Sequence, residues 1–133
     1  NNSFIDPHIA AIQVLAQGLR DLKILKDSVN TIIEKEEYKK FYMHKTSHWM
    51  GLDVHDVGDY FDPKGKPVRL MNGQILTIEP GLYFPDDRSV PKVFRNIGIR
   101  IEDDVLVNNN QADVLTSNCP KEIDELESII GKG

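Results

Sequence analysis

The chain has 133 residues, with 16 Lys+Arg against 21 Asp+Glu and a formal net charge of −5, a length that suits one domain of about 100–150 residues. Apolar residues make up 40% and charged residues 28%, which excludes an intrinsically disordered composition, and the acidic balance argues against a general nucleic-acid binder. No apolar run approaches the ~18–20 residues of a membrane span and no basic-plus-apolar leader precedes the first helix, so neither nucleic acid nor membrane is expected as a partner.

The N-terminal third reads as helical. Asp6-Pro7 has the form of an N-cap followed by proline at the first helical position, where its missing N–H costs nothing. Ile12, Leu15, Leu19 and Leu22 then recur at helical spacing and share one face. A shorter helix is expected from near Asp27, with Val29, Ile32 and Ile33 as its apolar side and Glu34–Glu37 as its solvated end. Beyond Lys40 the pattern changes to strands and turns: Phe41–His44 is β-like, the stretch Asp62–Pro67 is a loop dense in Pro and Gly, and Ile75–Glu79 is a strand stopped by Pro80-Gly81. The longest strand candidate runs from Ile97 to Val107, with a bend near Asp103-Asp104. Cys119 is the single cysteine. It permits no intrachain disulfide, makes a reducing, cytoplasmic setting the default, and reads as inert. Pro120 opens an amphipathic helix with Ile123, Leu126, Ile129 and Ile130 on its apolar side. Helices, then strands, then a helix indicate an α+β fold.

Three pieces carry side chains suited to chemistry. In Ile97–Glu102 the three isoleucines fall on one face of a strand, to be buried under helices, while Gly98, Arg100 and Glu102 fall on the other. On the strand alone, Arg100 and Glu102 read as a solvated, salt-bridged pair beside a glycine that leaves room. Glu79 ends an apolar strand just before a tight turn. His44, His48 and His55 lie within twelve residues. The step of four between His44 and His48 matches helical zinc peptidases, but Lys45 stands where their catalytic Glu would be and the flanks do not favour a helix. On a strand the two lie roughly 13 Å apart at ~3.3 Å per residue. At most one is then a ligand of a given ion, and the spacing alone equally allows a packed histidine cluster. One imidazole and two carboxylates on strands form a donor set for a borderline divalent metal, short of what a paired centre needs. No serine-hydrolase elbow or phosphate loop is present, and His8 reads as structural or exposed.

The segment His44-Lys45-Thr46-Ser47-His48-Trp49-Met50-Gly51-Leu52-Asp53-Val54-His55-Asp56-Val57-Gly58 resembles the histidine segment of aminopeptidase P, the Xaa-Pro aminopeptidases of the pita-bread metallopeptidases. Leu76–Tyr83 and Arg95–Asp104 resemble the family's two later signature strands, in the same order. The resemblance covers essentially the whole chain. It implies the C-terminal half of a pita-bread (creatinase/aminopeptidase-like) fold, an antiparallel curved sheet with helices on one face. It also implies that His48, Glu79 and Glu102 bind a pair of divalent metals, most often Mn²⁺, with Glu102 contacting both ions and Glu79 also handling the proton. By the same resemblance His44 and His55 line the substrate groove and stabilise the reacting peptide, and Arg100 supports the site by pairing with acidic neighbours. The implied reaction is hydrolysis after the first residue of peptides with proline second, the metals lowering the pKa of the attacking water and polarising the carbonyl.

Lys45 departs from the glycine that follows this histidine in many relatives. The family's two aspartate ligands and a further substrate-facing histidine lie upstream, and nothing in residues 1–40 matches them. The expectation is therefore a chain that opens at Asn1, without an initiator Met, inside a two-half domain. It would carry three of five metal ligands, have little or no activity alone, and expose apolar surface that makes it self-associate; the full-length enzyme would be a homo-oligomer. The alternatives are prolidase, which cleaves Xaa-Pro dipeptides, and a non-catalytic module that binds peptides or a partner. Retention of His48, Glu79, Glu102 and Arg100 weighs against the last.

Overall fold

A computed structural model describes residues 2–109 and 111–131. It contains helix α1 (Asp6–Asp21), helix α2 (Val29–Glu34), strands β1 (Ile75–Ile78), β2 (Gly81–Phe84), β3 (Ile97–Arg100), β4 (Asp103–Asn108) and β5 (Gln111–Val114), and helix α3 (Ile123–Ile129). All strand pairs are antiparallel, giving an α+β architecture.

The apolar stripe of α1 faces inward through Ile12, Ala16 and Leu19. These pack with Ile32, Tyr38, Phe41, Tyr42, Phe84 and Val90 in the main core. Truncating Leu19, which is fully buried, to Ala would cost about 2–5 kcal/mol. Ser28 caps α2 by accepting from the Thr31 N–H at 3.2 Å. Asp6, expected as the cap of α1, instead lies inside the helix, and its carboxylate accepts from the Ser3 N–H at 2.7 Å. A second core holds Phe4, Trp49 and Leu76, with Tyr60, Val68 and Ile78 packed against it.

The sheet comes in two pieces, β1-β4-β5 and β2-β3, that share one register. The first ladder ends at the pair Ile78–Asp103 and the second begins at Gly81–Arg100. Stepping between them places Glu79 opposite Glu102 and Pro80 opposite Ile101. Proline cannot donate to a ladder, so the interruption falls where the sequence demands it. The bend in the long strand accordingly lies at 101–102, not at Asp103-Asp104.

The histidine segment lies along this ribbon without forming a regular strand. Residues Glu37–Lys40 make a 3₁₀ turn, and the expected strand Phe41–His44 does not form. The chain instead hydrogen-bonds along the ribbon, first at Phe41 and then at every second residue from Thr46 to Met50: Tyr83 N–H donates to the Phe41 carbonyl, Glu79 N–H to Thr46, Thr77 N–H to His48, and Met50 N–H to Ile75, at 2.8–3.1 Å.

Two apolar faces are less covered than the periodicity predicts. Ile97, Ile99 and Ile101 do face α1, but remain 40%, 60% and 46% exposed. They border a groove of about 560 Å³ shared with Leu15, Leu22 and Phe94. In α3 none of Ile123, Leu126 and Ile129 is buried. Just ahead of that helix, Lys121 is paired with Asp103, which also accepts from the Thr116 hydroxyl at 2.6 Å. These two partners hold the Asp103 carboxyl below its usual range, the Lys121 contact contributing most.

Candidate metal centre

The two-residue period of the sheet assembles the site. Thr77, Glu79 and Tyr83 point to one face of β1–β2, and Gly98, Arg100 and Glu102 point to the same face of the partner ribbon. His48 reaches that face from the segment beside β1. Among the described residues, His48, Glu79 and Glu102 each offer a ligand atom within 4.8 Å of the others, a group that could hold a metal ion. His48 and Glu79 are largely buried and Glu102 is exposed.

His48 is oriented for ligation. Its Nδ1 lies 2.9 Å from the Trp49 carbonyl, which can only accept, so Nδ1 carries a proton and Nε2 is the nitrogen whose lone pair the neutral ring offers to a metal. That Nε2 is 3.4 Å from Glu79 Oε1. Glu79 is held from two further sides: the Thr77 hydroxyl donates to Oε1 at 3.2 Å, and Arg100 Nη1 lies 3.6 Å from Oε2. Arg100 and Glu102 are therefore not the simple solvated pair that the strand alone suggests, because Arg100 addresses Glu79.

His44 and His48 serve different parts of the face. The Lys45 carbonyl takes His44 Nδ1–H at 2.8 Å, and Nε2 accepts from the Tyr83 hydroxyl at 2.9 Å. Among the described residues, His48 and not His44 joins the carboxylates in the ligand group. His55 is exposed and meets the His48 ring edge-on, with centroids 4.3 Å apart. The space beside Gly98 belongs to Tyr83, whose Cδ1 lies 3.1 Å from where a Cβ would stand. Asp56, near the histidines, builds its own loop by accepting from the Leu52 and Val57 N–H groups.

The segment is anchored underneath. Trp49 packs on Phe4 and Tyr60, with centroids 4.6 Å and 6.3 Å away. Lys45 lies over the Tyr60 ring at 5.2 Å, a cation–π contact in the place of the expected glycine. On the other side, Thr46 is fully buried and its hydroxyl meets His8 Nδ1 at 2.8 Å and the Tyr42 hydroxyl. His8 is thus structural. Its burial, then the charges of Lys45 and His44, push its pKa below the usual imidazole value, while burial pushes the Tyr42 phenol up.

Sequence reasoning missed Thr77 and Tyr83, although both lie an even number of residues from Glu79 and so share its face by the same period that located Arg100 and Glu102.

Residues 5–109 match the model of metallopeptidase family M24. The chain belongs to that family. This M24 chain is 43% identical over 129 residues to the Xaa-Pro aminopeptidase of Haemophilus influenzae, covering 97% of the chain and 30% of that protein. Its fold matches the aminopeptidase PepP of Pseudomonas aeruginosa with a TM-score of 0.91 and 44% identity, over 95% of this chain and 28% of the other. It also matches Escherichia coli aminopeptidase P, solved with the inhibitor Pro-Leu, with a TM-score of 0.81 and 42% identity over 88% and 26% of the two chains. The architecture is that of the pita-bread metallopeptidases, and the M24 chain spans under a third of the length of these relatives.

Proposed function

We propose that this chain is the second half of the catalytic domain of a metal-dependent Xaa-Pro aminopeptidase. The observation that carries the reading is the meeting of His48, Glu79 and Glu102 on one sheet face, with the His48 tautomer already set by the Trp49 carbonyl. A neutral imidazole nitrogen and two carboxylates fit a borderline divalent ion such as Mn²⁺. Three donors are few for two ions, and the reading assigns the remaining ligands to chain outside this sequence, as the coverage of about 30% of a relative supports. Bound there, two divalent ions would lower the pKa of water and polarise the scissile carbonyl.

The chain's own residues divide the remaining work. Glu79, with Arg100 beside Oε2 and Thr77 on Oε1, is placed to accept the proton released in hydrolysis. His44, braced by Tyr83, and the exposed His55 border the face where a peptide with proline second would lie. Arg100 balances the carboxylate charge when no cation is bound. A cytoplasmic setting belongs to the same reading and is supported by the single, exposed Cys119.

The test is turnover of a tripeptide with proline second, in manganese, by this chain and by the same chain extended upstream to the length of its relatives. Activity confined to the extended form is expected, and robust turnover by 133 residues alone would refute the division of ligands. Hydrolysis of a Xaa-Pro dipeptide but not the tripeptide would replace the aminopeptidase by prolidase.

A further inference from the structure

Thr77 is buried to 1% exposure in the middle of β1. A buried hydroxyl needs partners, and here both belong to the metal-ligand set. The His48 N–H donates to Thr77 Oγ1 at 3.1 Å, and the Thr77 hydroxyl donates to Glu79 Oε1 at 3.2 Å. The main chains are tied as well, with Thr77 N–H donating to the His48 carbonyl at 3.0 Å. In a regular antiparallel pair two such residues exchange both backbone hydrogen bonds. Residues 48 and 77 keep one and replace the other by the Thr77 side chain. That substitution leaves the Thr77 hydroxyl proton nowhere to go but outward along the strand, to the carboxylate two residues on.

One hydroxyl therefore fixes two donors at once. It sets the backbone from which the His48 ring projects, and it occupies one lone pair of Glu79 so that the remaining lone pairs stay available to a cation and to Arg100. We propose that Thr77 is a positioning residue that couples His48 to Glu79 and holds them at a separation suited to a divalent cation. The inference rests on the metal-site reading above. Val lacks the hydroxyl but keeps the branched shape, whereas Ser keeps the hydroxyl and loses a methyl, so the two variants separate hydrogen bonding from packing.

The experiment compares the wild-type chain with Thr77→Val and Thr77→Ser in two measurements. Amide hydrogen exchange of His48, read by NMR without metal, should be roughly fivefold to tenfold faster in Thr77→Val, because the amide loses its acceptor, and close to wild type in Thr77→Ser. Calorimetric titration with Mn²⁺, on the same variants of the chain extended upstream so that the remaining ligands are present, should show affinity about tenfold to a hundredfold lower in Thr77→Val, the range expected for an outer-shell partner, and little changed in Thr77→Ser. Equal His48 exchange in wild type and Thr77→Val, or a Thr77→Ser chain as impaired as Thr77→Val, overturns the proposal. If Thr77→Val does not fold, Thr77→Ala is read against Thr77→Ser: faster His48 exchange in Thr77→Ala alone supports the clamp, and equal exchange in the two removes it. A wild type extended upstream to the length of its relatives that binds no Mn²⁺ refutes the metal reading instead, while the exchange data still judge the coupling.

Discussion

Glu79 and Glu102 stand opposite each other in the gap of a ladder that keeps one register from Ile75–Leu106 to Phe84–Ile97. Both carboxylates sit where the backbone pairing stops, so neither is surrounded by a continuous sheet, and His48 closes the group from the side. If the three act as one donor set, Glu79→Gln and Glu102→Gln should each lower the Mn²⁺ affinity of the upstream-extended chain at least about tenfold, the lower bound for loss of even an outer-shell partner. Isothermal titration checks this; affinities equal to wild type would count against the site.

The glycine at 58 should resist substitution. A Cβ there would stand 2.3 Å from Trp49 Cδ1, and the Trp49 ring is packed in the second core with Phe4 and Tyr60. Gly58→Ala must displace that ring, at about 1–3 kcal/mol for an overpacked core. Because Trp49 follows His48 directly, the variant should also perturb the His48 ring resonances. Urea unfolding and ring proton shifts read the two effects.

Acid should weaken the fold through His8. Burial, Lys45 and His44 depress its pKa in the folded state, so the unfolded chain binds this proton first. The contribution is fully present above the unfolded value of about 6.5 and is lost as pH falls from there through the lower folded value. Between about pH 8 and pH 5, the unfolding midpoint of the wild type should drop more steeply than that of His8→Gln. Parallel pH profiles would show that His8 is not the group responsible.

The half-exposed isoleucines of β3 predict self-association. Ile99 is 60% exposed at the edge of a groove walled by Leu22 and Phe94, and contiguous apolar surface of this kind marks a contact face. Sedimentation of the wild-type chain should depend on concentration, and Ile99→Lys should reduce that dependence. A strictly monomeric wild type would show that the face is tolerated in water.

Helix α3 offers a contrast, since it buries no residue. The Lys121–Asp103 pair at its entrance ties it to β4, so Lys121→Met should raise proteolytic cutting around 115–123 while changing global stability by under about 1 kcal/mol. Because Asp103 has a depressed folded pKa, this tie is present above the usual carboxylate value and is lost as pH falls through the folded one.

Much of the site was legible in the sequence because strand period is a local property. Alternation in Ile97–Glu102 is enough to separate Arg100 and Glu102 from the isoleucines, and the run Leu76–Tyr83 ends its strand at Pro80 because proline has no N–H to give. The family likewise follows from three ordered segments. Tertiary structure decided what those faces meet. That His48 joins the carboxylates while His44 goes to Tyr83 depends on how residues 41–50 lie along β1 and β2, through hydrogen bonds between positions 25–42 residues apart. The burial of the isoleucines likewise depends on chain that must lie over them, which no periodicity within β3 can supply. The sequence by itself determined which side chains share a face; only the packing of the ribbon determined which faces share a site, because register and burial are set by partners distant in the chain.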